Sequence, residues 1–514
     1  MVMNSNSRMI INSCIIYARA FLTVGISLLS SRWILMALGE ESFGVYNLVA
    51  GMTILLSFLN NTMSSSTQRF LSYTLGKGVK EEVNTIFNLS LMLHICVALI
   101  MVLLFETVGV YLLNHILDIP IGKETDAIFV LHCLSFSTFI TVSTVPYSAS
   151  LITHENMLYV ACVQIVDSLL KLFSAVALLY FAGSRIRLYS VCMTGISTIS
   201  SLCYVIYCHR RYTETKLNFT ALKDLIVLKK LGSYTGWNMI GGISHLFKSQ
   251  GVSMLLNTFY GVTINAAYGI ANQVNSQMKF FSSTIVTATR PQIVKSEGMG
   301  NRQRMLQIST TTCKLTFLML SVLVAPFIAE CDYILQVWLK EVPEYTDIFI
   351  KLFLLCSLVM QLNTGVSIGI ESVGSIKYLQ IFVGGMHYLI LPVGYIMLRI
   401  GYSATQVFYM LLVEEICAFI ATCIISHKVT GLKLINFMTH CVIPCFVTFG
   451  LLYYSCCSIT MFLSSSILRL IMVCLASVII IIPLSYYLVF DAKEQELVKN
   501  YVTKILDTFR KRKY

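Results

Sequence analysis

The chain has 514 residues, 56% of them hydrophobic and only 12% charged, against about 25% charged in ordinary soluble domains. No soluble fold of this size hides so much apolar surface. The net charge of +12 sits in loops that alternate with apolar runs, which excludes a nucleic-acid-binding patch. The membrane is the solvent this composition requires: a hydrocarbon core about 30 Å thick needs about 20 mostly apolar residues per helix, and such runs recur from end to end.

The first run, Ile10 to Met36, is too long for a signal-peptide core, contains Arg19 and ends near Trp33 instead of at a small-residue cleavage site, so it reads as a retained span. Further helices centre near residues 54, 98, 139, 170, 197, 246, 276, 317, 358, 389, 414, 447 and 478. The expectation is an all-α polytopic protein of about fourteen transmembrane helices. Pro146 and Pro392 are candidate kinks. Cysteines such as Cys14, Cys96, Cys313 and Cys474 lie inside apolar runs without a CxxC spacing, which fits small apolar residues and calls for no metal or cofactor.

An even number of spans puts both termini on one side. The segments that would share that side hold most of the lysines and arginines, including Arg69, Lys77, Lys80, Arg210, Arg211, Arg290 and Lys295. The opposite segments hold only Arg32, Lys123, Arg185, Arg187, Lys340, Arg399 and Arg469, and gather acids such as Asp126, Glu330 and Asp347. The positive-inside rule therefore places both termini in the cytoplasm. Arg185 and Arg187 are a local exception. The inner loop from His209 to Gly232 mixes Leu222, Leu225, Ile226 and Leu231 with lysines, which predicts a short helix on the anionic leaflet. The tail, with Tyr501, Val502, Ile505 and Phe509 before Arg510-Lys511-Arg512-Lys513, predicts a membrane-lipid anchor.

An internal repeat is legible by spacing. Gly39, Tyr46, Arg69 and Gly76-Lys77-Gly78 recur as Gly261, Tyr268, Arg290 and Gly298-Met299-Gly300, an offset of about 222 residues. The expected domains are a first six-helix lobe (1–208), a basic linker (209–232), a second six-helix lobe (233–427), two further spans (428–490) and the basic amphipathic tail (491–514).

Charges inside a bilayer are costly and normally face the bundle interior or water. Lys351, Glu106 and Lys314 lie near interfaces, where snorkelling explains them. Arg19, Lys248 and Lys279 lie deeper, on polar stripes at helical spacing: Asn12, Arg19, Thr23, Ser27, Ser30; Asn238, Gly241, His245, Lys248; and Tyr268, Asn272, Asn275, Lys279. Three deep cations without local partners point to a cavity that attracts an anion. Asp167 and Lys171 read as an i, i+4 pair. Glu414 and Glu415 have no local cation, and either bind a coupling ion or proton or pair with a cation on another helix.

The segments Leu38-Gly39-Glu40-Glu41-Ser42-Phe43-Gly44-Val45-Tyr46, Ser57-Phe58-Leu59-Asn60 and Ser66-Thr67-Gln68-Arg69-Phe70-Leu71, with Ala288-Thr289-Arg290-Pro291-Gln292-Ile293 later, resemble the bacterial polysaccharide repeat-unit flippases. These belong to the multidrug/oligosaccharidyl-lipid/polysaccharide (MOP) exporter superfamily. The resemblance covers both lobes and implies a MATE-like V of two six-helix lobes around a cavity lined by the first, second, seventh and eighth helices. It implies a cargo of oligosaccharide on undecaprenyl diphosphate, flipped across a bacterial inner membrane by alternating access for O-antigen, capsule or exopolysaccharide, with a polysaccharide polymerase as partner. On this reading Arg19, Lys248 and Lys279 receive the diphosphate, and polar neighbours such as Asn238, His245, Asn272 and Asn275 receive sugars. A multidrug exporter of the same superfamily would instead carry an anionic cavity for cations. A membrane polymerase or acyltransferase would want a large external loop or a motif-borne histidine; the external loops are short, and His94, His132, His245 and His387 are scattered without a motif. The chain is therefore expected to act as a transporter and not as an enzyme.

Overall fold

Helices satisfy their own backbone polar groups in hydrocarbon, and in the computed structural model the apolar runs are helical, with no strand among the described residues. The structure describes residues 5–499 except 116, 118, 219, 221–223, 340, 341, 493 and 497. The basic run at 510–513 and the apolar face expected before it lie outside the described residues, as does the side chain of Asn12.

The helices are α1 (Ser5–Lys77), α2 (Lys80–His115), α3 (Glu124–Thr153), α4 (Met157–Leu179), α5 (Arg185–Arg211), α6 (Leu225–Gly298), α7 (Arg302–Ala329), the short α8 (Cys331–Leu339), α9 (Thr346–Val373), α10 (Lys377–Ile400), α11 (Ala404–Thr430), α12 (Leu434–Phe462) and α13 (Ile467–Val489). Among the described residues, ten of these are long and apolar enough to cross a membrane. The very long α1 and α6 are each broken by one glycine, Gly39 (φ 75°, ψ 167°) and Gly261 (φ 78°, ψ −168°). Only glycine adopts that backbone without strain. These are the paired markers of the sequence repeat. Gly78 and Gly300, at the same offset, have φ 79° and 73°, so the repeat is expressed in backbone geometry.

Two compact units result: Met1–Ile243 with Ala288–Asn301, and Ser244–Thr287 with Arg302–Tyr514. Both halves of the repeat thus contribute to the first unit, which includes the last turns of α6.

In the first unit, Ile34, Val49, Leu131, Ala175 and Tyr189 belong to one buried cluster. Arg187 explains half of the charge exception: its Nε donates to Asp126 at 2.6 Å and its Nη2 to Thr125 at 3.2 Å. Arg185 donates to the Ala37 carbonyl at 2.9 Å. Both guanidinium groups are thus used for packing. Glu155, in a left-handed turn between α3 and α4 (φ 60°), receives Lys295 Nζ at 3.0 Å and Gln292 Nε2 at 3.3 Å. The segment expected as a separate helix on the leaflet is instead the start of α6, with Asp224 capping the Val227 amide at 3.0 Å. Before it, the linker is tied to α2 by Asn84, which donates to the carbonyls of Glu214 and Lys216 at 2.8 Å each.

In the second unit, Phe349 stacks on Phe408 with centroids 3.9 Å apart. The last two helices are built into this unit. Arg469 of α13 forms a two-pronged pair with the buried Glu330 (2.7 and 2.6 Å), and Ser477 donates to the Val322 carbonyl at 2.7 Å. Lys314 does not snorkel: it is fully buried and donates to Glu494 at 2.8 Å and Asp491 at 3.4 Å, just beyond α13. Near the other interface, Lys351 pairs with Asp347 at 3.3 Å and Glu106 meets His132 at 2.7 Å. Helix α3 is interrupted at Thr144, just before Pro146. The irregular turn of α10 falls at Gln380–Gly384 and not at Pro392.

Candidate functional site

Helix α11 presents two consecutive carboxylates, and consecutive helical side chains point about 100° apart. One cation can serve both only from between them. Lys248 of α6 does so: its Nζ lies 2.5 Å from Glu414 Oε2 and is also hydrogen-bonded to Glu415 Oε1. The second oxygen of Glu414 meets Nδ1 of the buried His387, on α10, at 2.7 Å. The exposed ring of His245, one turn before Lys248 on α6, lies against His387 with centroids 4.5 Å apart.

This corrects the reading of Lys248 as an unpaired cation: its charge is balanced by both glutamates. Glu414 and Glu415 thus pair with a cation from another helix, one of the two alternatives held for them. His387, scattered without a motif in the sequence, is not assigned to the site there because its partners lie 27 positions on and, for His245, 142 positions back.

The second limb of α6 places Asn272, Ser276, Lys279 and Ser283 at helical spacing, with Asn272, Ser276 and Ser283 exposed and Lys279 half-buried. The Lys279 ammonium makes no hydrogen bond or ion pair among the described residues, although Glu415, Lys248 and Cys356 lie within electrostatic reach. It is therefore a deep ammonium that retains donors for an incoming group. Asn275 is withdrawn from this face: it is buried, and its Oδ1 accepts from Ser357 Oγ at 2.5 Å.

In the first unit, Arg19 donates from Nη1 to Gln164 Oε1 of α4, while its Nε is buried without a partner. Glutamine orients the guanidinium without neutralising it. Asp167, one turn along, is taken by Lys171 at 2.7 Å, as the i, i+4 spacing predicts, and by Ser200 at 2.9 Å. Asn238 donates to Ser65 and Ser66 at 3.0 and 3.1 Å, which joins the polar stripe of α6 to a hydroxyl-rich run on α1. Among the described residues, Arg19 in the first unit and Lys279 in the second form no ion pair with a carboxylate.

No protein-family model matches the chain. It is 20% identical over 346 residues to the uncharacterized membrane protein EpsK of Bacillus subtilis, a match spanning 65% of each protein. Among solved structures, an outward-facing multidrug-resistance MATE transporter of the MOP superfamily superposes with a TM-score of 0.70 at 14% identity, over 84% of this chain and 96% of that one. A MATE structure in a bent conformation gives 0.71 at 14% identity, over 85% and 96%. A MOP-superfamily transporter from Pyrococcus furiosus, whose reversed binding-pocket polarity suggests a different function, gives 0.64 at 14% identity, over 85% and 97%. With its membrane-length helices, glycine-broken repeat helices and this shared architecture, the chain is a multi-pass membrane protein with a MATE-like fold.

Proposed function

We propose that this protein moves an anionic, lipid-linked oligosaccharide from the inner to the outer leaflet of a bacterial inner membrane by alternating access. The observation that carries the reading is Lys279: an ammonium without a hydrogen bond or ion pair among the described residues, on an exposed polar stripe of α6. A diphosphate offers such a group several strong acceptor oxygens, and hydroxyl-rich sugars suit Asn272 and the serines beside it. Arg19 supplies a cation held by a glutamine and no carboxylate in the first unit, with a planar fork suited to phosphate.

On this reading the cargo is a repeat unit on undecaprenyl diphosphate, supplied for O-antigen, capsule or exopolysaccharide assembly. The limbs of α1 and α6, each about 50 Å long at 1.5 Å per residue, are taken as four further spans, giving fourteen with both termini in the cytoplasm. Export of cationic drugs fits less well, because Glu414 and Glu415 are already occupied by Lys248.

Surface polysaccharide in cells carrying Lys279→Gln or Arg19→Gln tests the reading. Either change is expected to lower surface polysaccharide at least tenfold, with Arg19→Lys milder than Arg19→Gln. Normal polysaccharide with both cations neutralised would overturn the reading.

A further inference from the structure

The second limb of α1, after Gly39, carries Asn60, Asn61, Ser64, Ser65 and Gln68. At about 100° per residue, Asn61, Ser64, Ser65 and Gln68 fall within roughly 100° of arc, with Asn60 at its edge. One polar face results. Asn61 is exposed, and Asn60, Ser64, Ser65 and Gln68 are half-buried. Asn238 of α6, in the same unit, completes the face through its hydrogen bonds to Ser65 at 3.0 Å and Ser66 at 3.1 Å.

Hydrogen bonds within the face use only part of its capacity. Gln68 Nε2 donates to Ser64 at 3.1 Å, and Ser65 and Ser66 both turn their hydroxyl hydrogens to the Thr62 carbonyl at 2.9 Å. The side-chain carbonyl oxygens of Gln68 and Asn238 and the whole Asn61 amide have no partner among the described residues. Asn60 Oδ1 is buried without a donor. A buried acceptor left unfilled is destabilising, so this one marks a place for an incoming hydroxyl. The face is also uncharged. Arg69, next along the limb, is buried with its guanidinium over the rings of Phe70, Tyr73 and Tyr234, at 4.7, 4.9 and 5.2 Å from their centroids.

A phosphate would find no cation on this face, and a cationic drug no carboxylate. An acyl chain would strip the amides of water without replacing their hydrogen bonds. Sugar hydroxyls both donate and accept, and an Asn or Gln side chain offers both functions on one planar group. We infer that Asn60, Asn61, Gln68 and Asn238 form an uncharged sugar subsite of the first unit, which makes the protein select glycosylated lipid over the same lipid without sugar. The inference rests on the lipid-linked oligosaccharide reading and divides the work of recognition: cations hold the diphosphate, and this amide face reads the sugar.

The purified full chain in lipid nanodiscs is titrated with two lipids: undecaprenyl-diphosphate-linked oligosaccharide extracted from the organism's own membranes, and undecaprenyl diphosphate without sugar. Wild type is expected to bind the glycosylated lipid about tenfold tighter or more, the effect of two or three added hydrogen bonds. Asn61→Ala combined with Gln68→Ala is expected to narrow that ratio to about threefold or less, with sugar-free lipid bound as before. Lys279→Gln is expected to weaken both lipids alike. A ratio that the double variant leaves unchanged, or equal losses for both lipids, would overturn the subsite. Should the double variant fail to fold, the same comparison is made with Asn61→Ala alone, whose side chain is exposed. Wild type that binds the two lipids equally would overturn the subsite and retain the diphosphate reading, whereas wild type that binds neither would overturn the cargo reading itself.

Discussion

Gly76 and Gly298, equivalent positions of the internal repeat, lie against each other: a Cβ on Gly298 would stand 3.2 Å from the Gly76 Cα and 2.1 Å from the Tyr73 carbonyl oxygen. A Cβ on Gly76 would stand 2.4 Å from the Lys295 carbonyl oxygen. Backbone cannot yield as a flexible side chain does. Gly76→Ala and Gly298→Ala are each expected to cost about 1–3 kcal/mol, the usual penalty for overpacking, and to lower the melting temperature of the detergent-purified protein. Gly44→Ala is the control, because its Cβ would meet nothing within 4 Å.

Gly39 and Gly261 test a different cause. An added Cβ at either would meet nothing within 4 Å, so only the backbone conformation resists substitution. Alanine at either position is expected to cost roughly 1–3 kcal/mol, visible as a lower melting temperature and a lower folded yield. Equal effects at the two sites would show that the repeat preserves energetics as well as spacing.

Lys314 is held by residues that follow the last span. Glu494→Gln leaves a buried ammonium with only Asp491, at 3.4 Å and largely exposed. The expected loss is about 3 kcal/mol, as for other broken buried pairs, read as a drop in melting temperature. Adding Lys314→Met to Glu494→Gln is expected to recover most of it. If the double variant melts no higher than the single one, Lys314 is not the group that Glu494 stabilises.

Glu214 makes linker docking sensitive to acid. Burial alone would raise its carboxyl pKa. The hydrogen bond with His154 at 2.5 Å, together with that from Ser150, outweighs burial and lowers it below the ordinary 4.5. His154 is itself stacked on Tyr212, with centroids 4.1 Å apart. A carboxyl whose folded pKa is depressed adds stability above its unfolded pKa and loses it as pH falls through the folded value. Limited proteolysis at residues 209–224 is expected to be slow at neutral pH and to accelerate as the pH falls below 4.5 and through the depressed Glu214 value. Glu214→Gln is expected to be cut faster than wild type already at neutral pH.

Much of the architecture was legible in the sequence because hydrophobic length and glycine spacing are local or periodic. The offset from Gly39 to Gly261 located both helix breaks, and Asp167 and Lys171 paired as their spacing required. Charge pairing across distant helices was not legible. Lys248 looked unpaired because its partners stand 166 and 167 positions away, and Lys314 looked like a snorkelling residue because its carboxylates lie beyond α13. Asn275 shared a stripe with Lys279, yet packing turned it to Ser357. Periodicity gives the face of a helix, whereas the partner on that face depends on the tertiary fold.

The central claim is that an anionic lipid-linked oligosaccharide is the cargo and that Lys279 receives it. Purified protein in proteoliposomes loaded with undecaprenyl-diphosphate-linked oligosaccharide allows direct measurement of how fast the sugar becomes accessible to an added glycosidase. Exposure is expected to depend on the protein and to be slowed at least tenfold by Lys279→Gln. Exposure no faster than in protein-free liposomes, from vesicles that still export a cationic dye, would contradict it.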